Sequence, residues 1–137
     1  MSVINELIRT EENGSLSFGN IELPAKAKLD GYEYNGDLYK IKTFKEITKL
    51  EKNGTMVYES VPGTVVHELK VSERGVSFGV ESTEDVQITL ELEAGKEYKI
   101  YVDGTNLGKM KTNLGGKLSF SVELVPNEIS KVKIDKL

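Results

Sequence analysis

The chain has no cysteine and no tryptophan, and only one histidine and three prolines among its 137 residues. Without cysteine, disulfides and thiolate metal ligands are excluded. With a single histidine, a zinc site would have to draw most of its ligands from carboxylates, so no metal is expected. No long apolar run occurs, and nothing approaches the ~18 residues of a membrane-spanning helix. Charge of one sign is also missing as a block. The net charge is −4 with both signs interspersed, which leaves no electrostatic footprint for nucleic acid. The first residues, Met1-Ser-Val-Ile-Asn-Glu-Leu-Ile-Arg9, carry acids and lack the apolar core of a secretory signal. The expected location is therefore cytoplasmic, and the sequons Asn13-Gly-Ser15 and Asn53-Gly-Thr55 read as turns.

What is present is strict alternation. Val86 to Leu92 reads Val-Gln-Ile-Thr-Leu-Glu-Leu, and Leu118 to Leu124 reads Leu-Ser-Phe-Ser-Val-Glu-Leu. Successive side chains of a strand point to opposite faces, so each segment offers one apolar and one wet face. Antiparallel sheets packed on one side have this pattern. From Gly63 onward, strands are expected at Thr64 to Val71, Val76 to Glu81, Val86 to Leu92, Tyr98 to Val102, Leu107 to Thr112, Lys117 to Leu124 and Lys131 to Ile134. Short strands at this spacing predict an immunoglobulin-like β-sandwich over residues 63–137.

Residues 1–62 are less regular and predict a hairpin-rich β segment. Asn35-Gly36 and Asn53-Gly54 are tight-hairpin signals, as is Asp103-Gly104 in the second half, because primed turns need positive φ. Leu16 to Phe18 and Ile21 to Leu23 read as short strands. Val3, Ile4, Leu7 and Ile8 fall at helical spacing, so Met1 to Arg9 reads as a short amphipathic helix or an arm. The fold class is thus all-β, in two unequal halves.

Chemistry is sparse. His67 lies in register with Val65, Leu69 and Val71 and predicts a partly buried ring with a satisfied nitrogen. No serine or aspartate completes a triad with it, and Gly-x-Ser-x-Gly is absent. Glu91, Glu93 and Glu97 read as a solvated sheet face, and Glu81, Glu84 and Asp85 as a charged turn lacking the spacing of a calcium loop. Asn113-Leu-Gly-Gly-Lys117 sits between two strands without the following helix used in phosphate capture. No catalytic residue, metal or cofactor is assigned.

Tyr32, Tyr34 and Tyr39 form the most distinctive polar-aromatic set, on and across the Asn35-Gly36 hairpin. Such a set packs across strands, anchors an interface or stacks on a sugar ring.

Three blocks carry a resemblance: Tyr39 to Gly54, Val57 to Thr64 and Gly108 to Phe120. With them the chain resembles a family of short clostridial (Firmicutes) proteins often labelled "endosialidase". The resemblance spans nearly the whole chain and carries no identifiable catalytic motif. Glu97 to Leu124 is also similar to small sandwich modules appended to bacterial carbohydrate-active enzymes, which implies a non-catalytic role.

The expected function is that of a non-enzymatic structural or assembly protein. Its homo-oligomeric contacts would come from the first 62 residues, through Val3, Ile4, Leu7, Ile8, Tyr32, Tyr34, Leu38 and Tyr39. The alternative partner is a glycan, held on the Tyr32/Tyr34/Tyr39 face of a carbohydrate-binding module. Neither nucleic acid nor a membrane is an expected partner.

Overall fold

A computed structural model describes residues 2–137. The chain runs β1 (Ile8–Thr10), β2 (Leu16–Phe18), β3 (Ala27–Tyr34), β4 (Asp37–Phe44), β5 (Ile47–Lys52), β6 (Thr55–Val61), β7 (Val65–Ser72), β8 (Gly75–Glu81), β9 (Val86–Glu91), β10 (Glu97–Val102), β11 (Thr105–Lys111), β12 (Lys117–Val122) and β13 (Ser130–Lys136). Among the described residues there is no helix. The strands form two antiparallel sheets, one in the order β1-β2-β7-β8-β13-β10-β11 and the other β12-β9-β6-β5-β4-β3. The fold is all-β and sandwich-like.

The alternation carries the packing. Phe78, Val80, Val132, Ile134 and Ile100 of the first sheet share one buried cluster with Ile41, Leu50, Tyr58, Ile88 and Leu118 of the second. At its centre the Tyr58 ring meets Phe18 and Phe78 edge-on, with centroids 5.3 and 5.8 Å apart. The hairpin signals also hold. Asn35, Asn53 and Asp103 adopt φ of 50°, 49° and 50°, the left-handed geometry that matches the twist of tightly joined strands.

Both sheets draw strands from either side of residue 62. The seven-stranded sheet begins with β1 and β2, and the six-stranded sheet joins β3 to β6 with β9 and β12. Residues 1–62 therefore bury their apolar side chains against the second half of the chain, in one common core.

The N-terminal segment differs most from expectation. Residues 2–7 form no helix. Leu7 takes φ 73°, and its carbonyl accepts the Gly19 N–H at 2.9 Å, while the Ile4 N–H donates to Gly19 O at 3.0 Å. The segment closes a single turn, with the Leu7 N–H on Ile4 O at 2.9 Å, and is otherwise tied to the end of β2. As a result Ile4 and Ile8, four apart, lie in different clusters. Ile8 enters the main core. Ile4 packs with Val3, Ile21 and Val65 in a satellite cluster. Ile21 to Leu23, expected as a strand, is a turn.

Candidate functional site

Two places gather chemistry-bearing side chains. The first is the outer face of the seven-stranded sheet. His67 pairs across β7–β8 with Gly79, and Val65 with Glu81, so Glu81 is the diagonal neighbour of His67. His67 Nε2 and Glu81 Oε2 are 2.7 Å apart. The carboxylate is 2% exposed, screened beside the satellite cluster on Val65. Gly79 leaves room for this arrangement: a Cβ there would lie 2.8 Å from Ile129 Cγ2 and 3.5 Å from the His67 Cβ. A shallow groove of about 700 Å³ runs from His67 past Ser77, Tyr101, Lys131 and Lys133.

Beside the pair lies a second polar network. Arg9 Nε reaches both oxygens of Glu11 at 3.2 Å. Ser17 Oγ donates to Glu11 Oε2 at 2.6 Å and accepts the Glu68 N–H at 3.0 Å. The Ser17 hydroxyl, then the Arg9 guanidinium, hold the Glu11 carboxyl below the usual range against the opposing effect of burial.

These groups do not assemble a nucleophile. Ser17 is fully buried, and both its proton and one lone pair are engaged. Glu81 is the one hydrogen-bond partner of the His67 ring among the described residues. The pair therefore has the orienting half of a triad, and among the described residues no hydroxyl is hydrogen-bonded to the ring. His67→Ala should strip a buried carboxylate of its partner and cost about 1–3 kcal/mol. His67→Gln, which keeps a donor, should cost clearly less. Urea midpoints at constant slope measure the difference, and equal losses would mean the hydrogen bond contributes nothing.

The second place is the end of the sandwich near the tyrosines. Tyr39 is buried, and Tyr32 and Tyr34 are partly buried and packed against the core. Tyr32 Oη lies 2.9 Å from Thr10 Oγ1, and Tyr34 Oη donates to Gly14 O at 2.6 Å. These bonds tie β3, the edge of one sheet, to β1 and its following turn on the other. The expected aromatic face thus leans on its own chain, because β3 borders β1 and the rings pack against the core.

The remaining expected contact residues divide. Ile4 and Ile8 are buried in their own chain, Val3 and Leu7 pack at the margins of the two clusters, and Leu38 is exposed. Apolar periodicity cannot distinguish a face covered by the same chain from one covered by another. What sequence reasoning missed is Glu81 as the partner of His67, read instead as part of a charged turn. Its signal was position: Glu81 follows Val80 in outward register with Gly79 and Ser77.

Among the described residues, no group of three or more potential metal ligands occurs, and no helix is long and apolar enough to cross a membrane. No family model matches the chain, and neither a curated protein nor a solved structure matches it.

Proposed function

We propose that the chain is a non-enzymatic assembly protein that builds homo-oligomers through a free sheet edge. The observation that carries this reading is β11. It closes one side of the seven-stranded sheet with β10 as its only partner strand among the described residues, and all seven of its residues are exposed. A bare edge presents unpaired N–H and C=O groups, the usual template for pairing with another chain. Leu107 and Met110 project from it, and Leu114 follows in the next loop at 96% exposure.

The expected N-terminal contacts give way to this edge because Ile4 and Ile8 are spent on internal packing. β11 is irregular at its middle, where its pairing with β10 shifts beside Leu107 and the Gly108 N–H donates to Asn106 Oδ1 at 2.8 Å, so a second copy would pair on either side of Gly108 and not through it.

Immunoglobulin-like architecture for residues 63–137 belongs to the same reading, supported by seven short strands split between two sheets. Part of the same proposal is kinship with the clostridial family labelled "endosialidase", which the chain resembles. The chain has two arginines: Arg9 is engaged by Glu6 and Glu11, and Arg74 lies in the turn between β7 and β8.

Sedimentation velocity tests the proposal. The wild-type chain should sediment above its monomer mass of 15.2 kDa. Leu107→Asp with Met110→Asp should return it towards the monomer with its β-sheet signal unchanged. A wild-type chain that stays monomeric at high micromolar concentration overturns the reading.

A further inference from the structure

At the end of the sandwich that holds the β3–β4 turn, the two sheets do not close over each other. Val71 lies on the inner side of β7, two residues beyond buried Leu69, yet is 72% exposed. It opens onto a cleft of about 330 Å³ between the sheets. Leu16, Leu69 and Val76 line one wall, and Tyr58 and Leu90 the other. Small-molecule sites are typically concave, largely apolar and ~300–1,000 Å³, with few polar groups that set orientation.

The polar groups at the mouth are specific. Tyr34 and Tyr39 meet edge-on with centroids 5.7 Å apart, and the hydroxyl of Tyr34 is committed to Gly14 O. Tyr39 is 8% exposed and lines the cleft, and its hydroxyl has no hydrogen-bond partner among the described residues. Burial first, then the charge of Asp37, push that hydroxyl above the ordinary tyrosine range, so it stays a neutral donor. Asp37 itself is answered by Lys52 at 3.5 Å and by the Asn53 amide at 2.9 Å. Glu91, which also lines the cleft and whose buried Oε2 has no hydrogen-bond partner among the described residues, is answered by the Lys117 ammonium at 3.2 Å, so the formal charges around the cleft are paired within the chain and the Tyr39 hydroxyl is left as a free donor.

We infer that this cleft is a binding site for an uncharged small molecule with an apolar, ring-sized body and one hydrogen-bond acceptor, which the Tyr39 hydroxyl meets. The body replaces water over Val71, Leu69 and Leu90. The acceptor satisfies a hydroxyl that the fold leaves free. None of the cleft residues lies on β11, so the site stands apart from the assembly edge.

Matched probes test it: acetophenone, which carries a carbonyl acceptor, ethylbenzene, which does not, and benzoate, which is charged. Titrations followed by methyl resonances should shift Leu16, Leu69, Val76 and Leu90 with both neutral probes. Acetophenone should bind tighter than ethylbenzene by about 2- to 10-fold, the contribution of one neutral hydrogen bond, and benzoate more weakly than either. Tyr39→Phe should erase the preference for acetophenone while retaining ethylbenzene. Val71→Trp, a filling substitution at an already exposed position, should weaken both neutral probes at least 10-fold without disturbing methyls of the satellite cluster. Absence of shifts at millimolar probe, shifts confined to the outer groove, or an acetophenone preference that survives Tyr39→Phe would overturn the assignment.

Discussion

Replacing Tyr58 with alanine should lower the unfolding free energy by about 3–5 kcal/mol, as large aromatic truncations in a packed core do. The ring is fully buried and touches an aromatic side chain on each of two strands of the opposite sheet, Phe18 and Phe78. The void would fall where the two sheets meet, flanked by backbone that cannot collapse without disturbing both. Tyr58→Phe separates the ring from the hydroxyl. Tyr58 Oη lies 2.7 Å from Thr64 Oγ1, which itself lies 2.8 Å from Ser60 Oγ. Because Thr64 keeps Ser60, the phenylalanine variant should lose only about 0.5–1.5 kcal/mol. Burial also drives the Tyr58 hydroxyl above the usual tyrosine range, with the Thr64 and Ser60 hydrogen bonds opposing. Alkaline titration by absorbance should therefore show Tyr58 ionising only as the protein unfolds. Alanine and phenylalanine variants of equal stability would refute this account of the centre.

Gly75→Ala should be at least as damaging, with a loss of about 3 kcal/mol or more, because backbone positions incompatible with a side chain are among the costliest to change. Gly75 starts β8 with φ 148° and pairs with Asp135 on β13. A Cβ there would lie 1.8 Å from the Ile134 carbonyl oxygen. Backbone, unlike a side chain, cannot swing aside, so β8 and β13 would have to separate at their end. The Lys136 N–H bond to Arg74 O would go with them. Gly14→Ala is the matching control: φ is 84°, and nothing lies within 4 Å of its would-be Cβ. It should cost only the local strain of about 1–2 kcal/mol. Thermal melts of the pair decide it, and indistinguishable melting temperatures would show that the close approach to β13 does not matter.

Much of this fold is legible from alternation, and its failures have physical causes. All seven strands expected after Gly63 form; six of them bury one face, for which period two is a sufficient signal, while β11, exposed throughout, follows from the Asp103-Gly104 hairpin signal that joins it to β10. Alternation fails at β7. Val65, His67, Leu69 and Val71 read as one face, yet Glu68 adopts φ 53° and the pairing shifts between His67 and Lys70. This bulge sends Val65 and His67 to the outer face and Leu69 and Val71 to the inner one. A single extra residue inverts everything beyond it, and nothing in Glu68 announces it. Val65 is buried regardless, because the N-terminal segment covers it, and Val71 is exposed regardless, because nothing does. The tyrosines were recognisable as a set. Their direction was not, since it depends on β3 lying beside β1 across the sandwich, a long-range pairing that local spacing does not encode.

The place of β13 between β8 and β10 also sets a timetable. All twelve preceding strands leave the ribosome before it, so the nascent seven-stranded sheet exists as two unconnected pieces. One ends at β8 and the other, the β10–β11 hairpin, has no strand of its own sheet beside it. Two long open edges face each other until Ser130–Lys136 arrives to bridge them. Non-local pairing of this kind slows folding and lengthens exposure to misassembly. During synthesis the sheet thus depends on β13 as an arch depends on its keystone. A product broken off before residue 130 would present chaperones and proteases with sheet edges that the full chain hides.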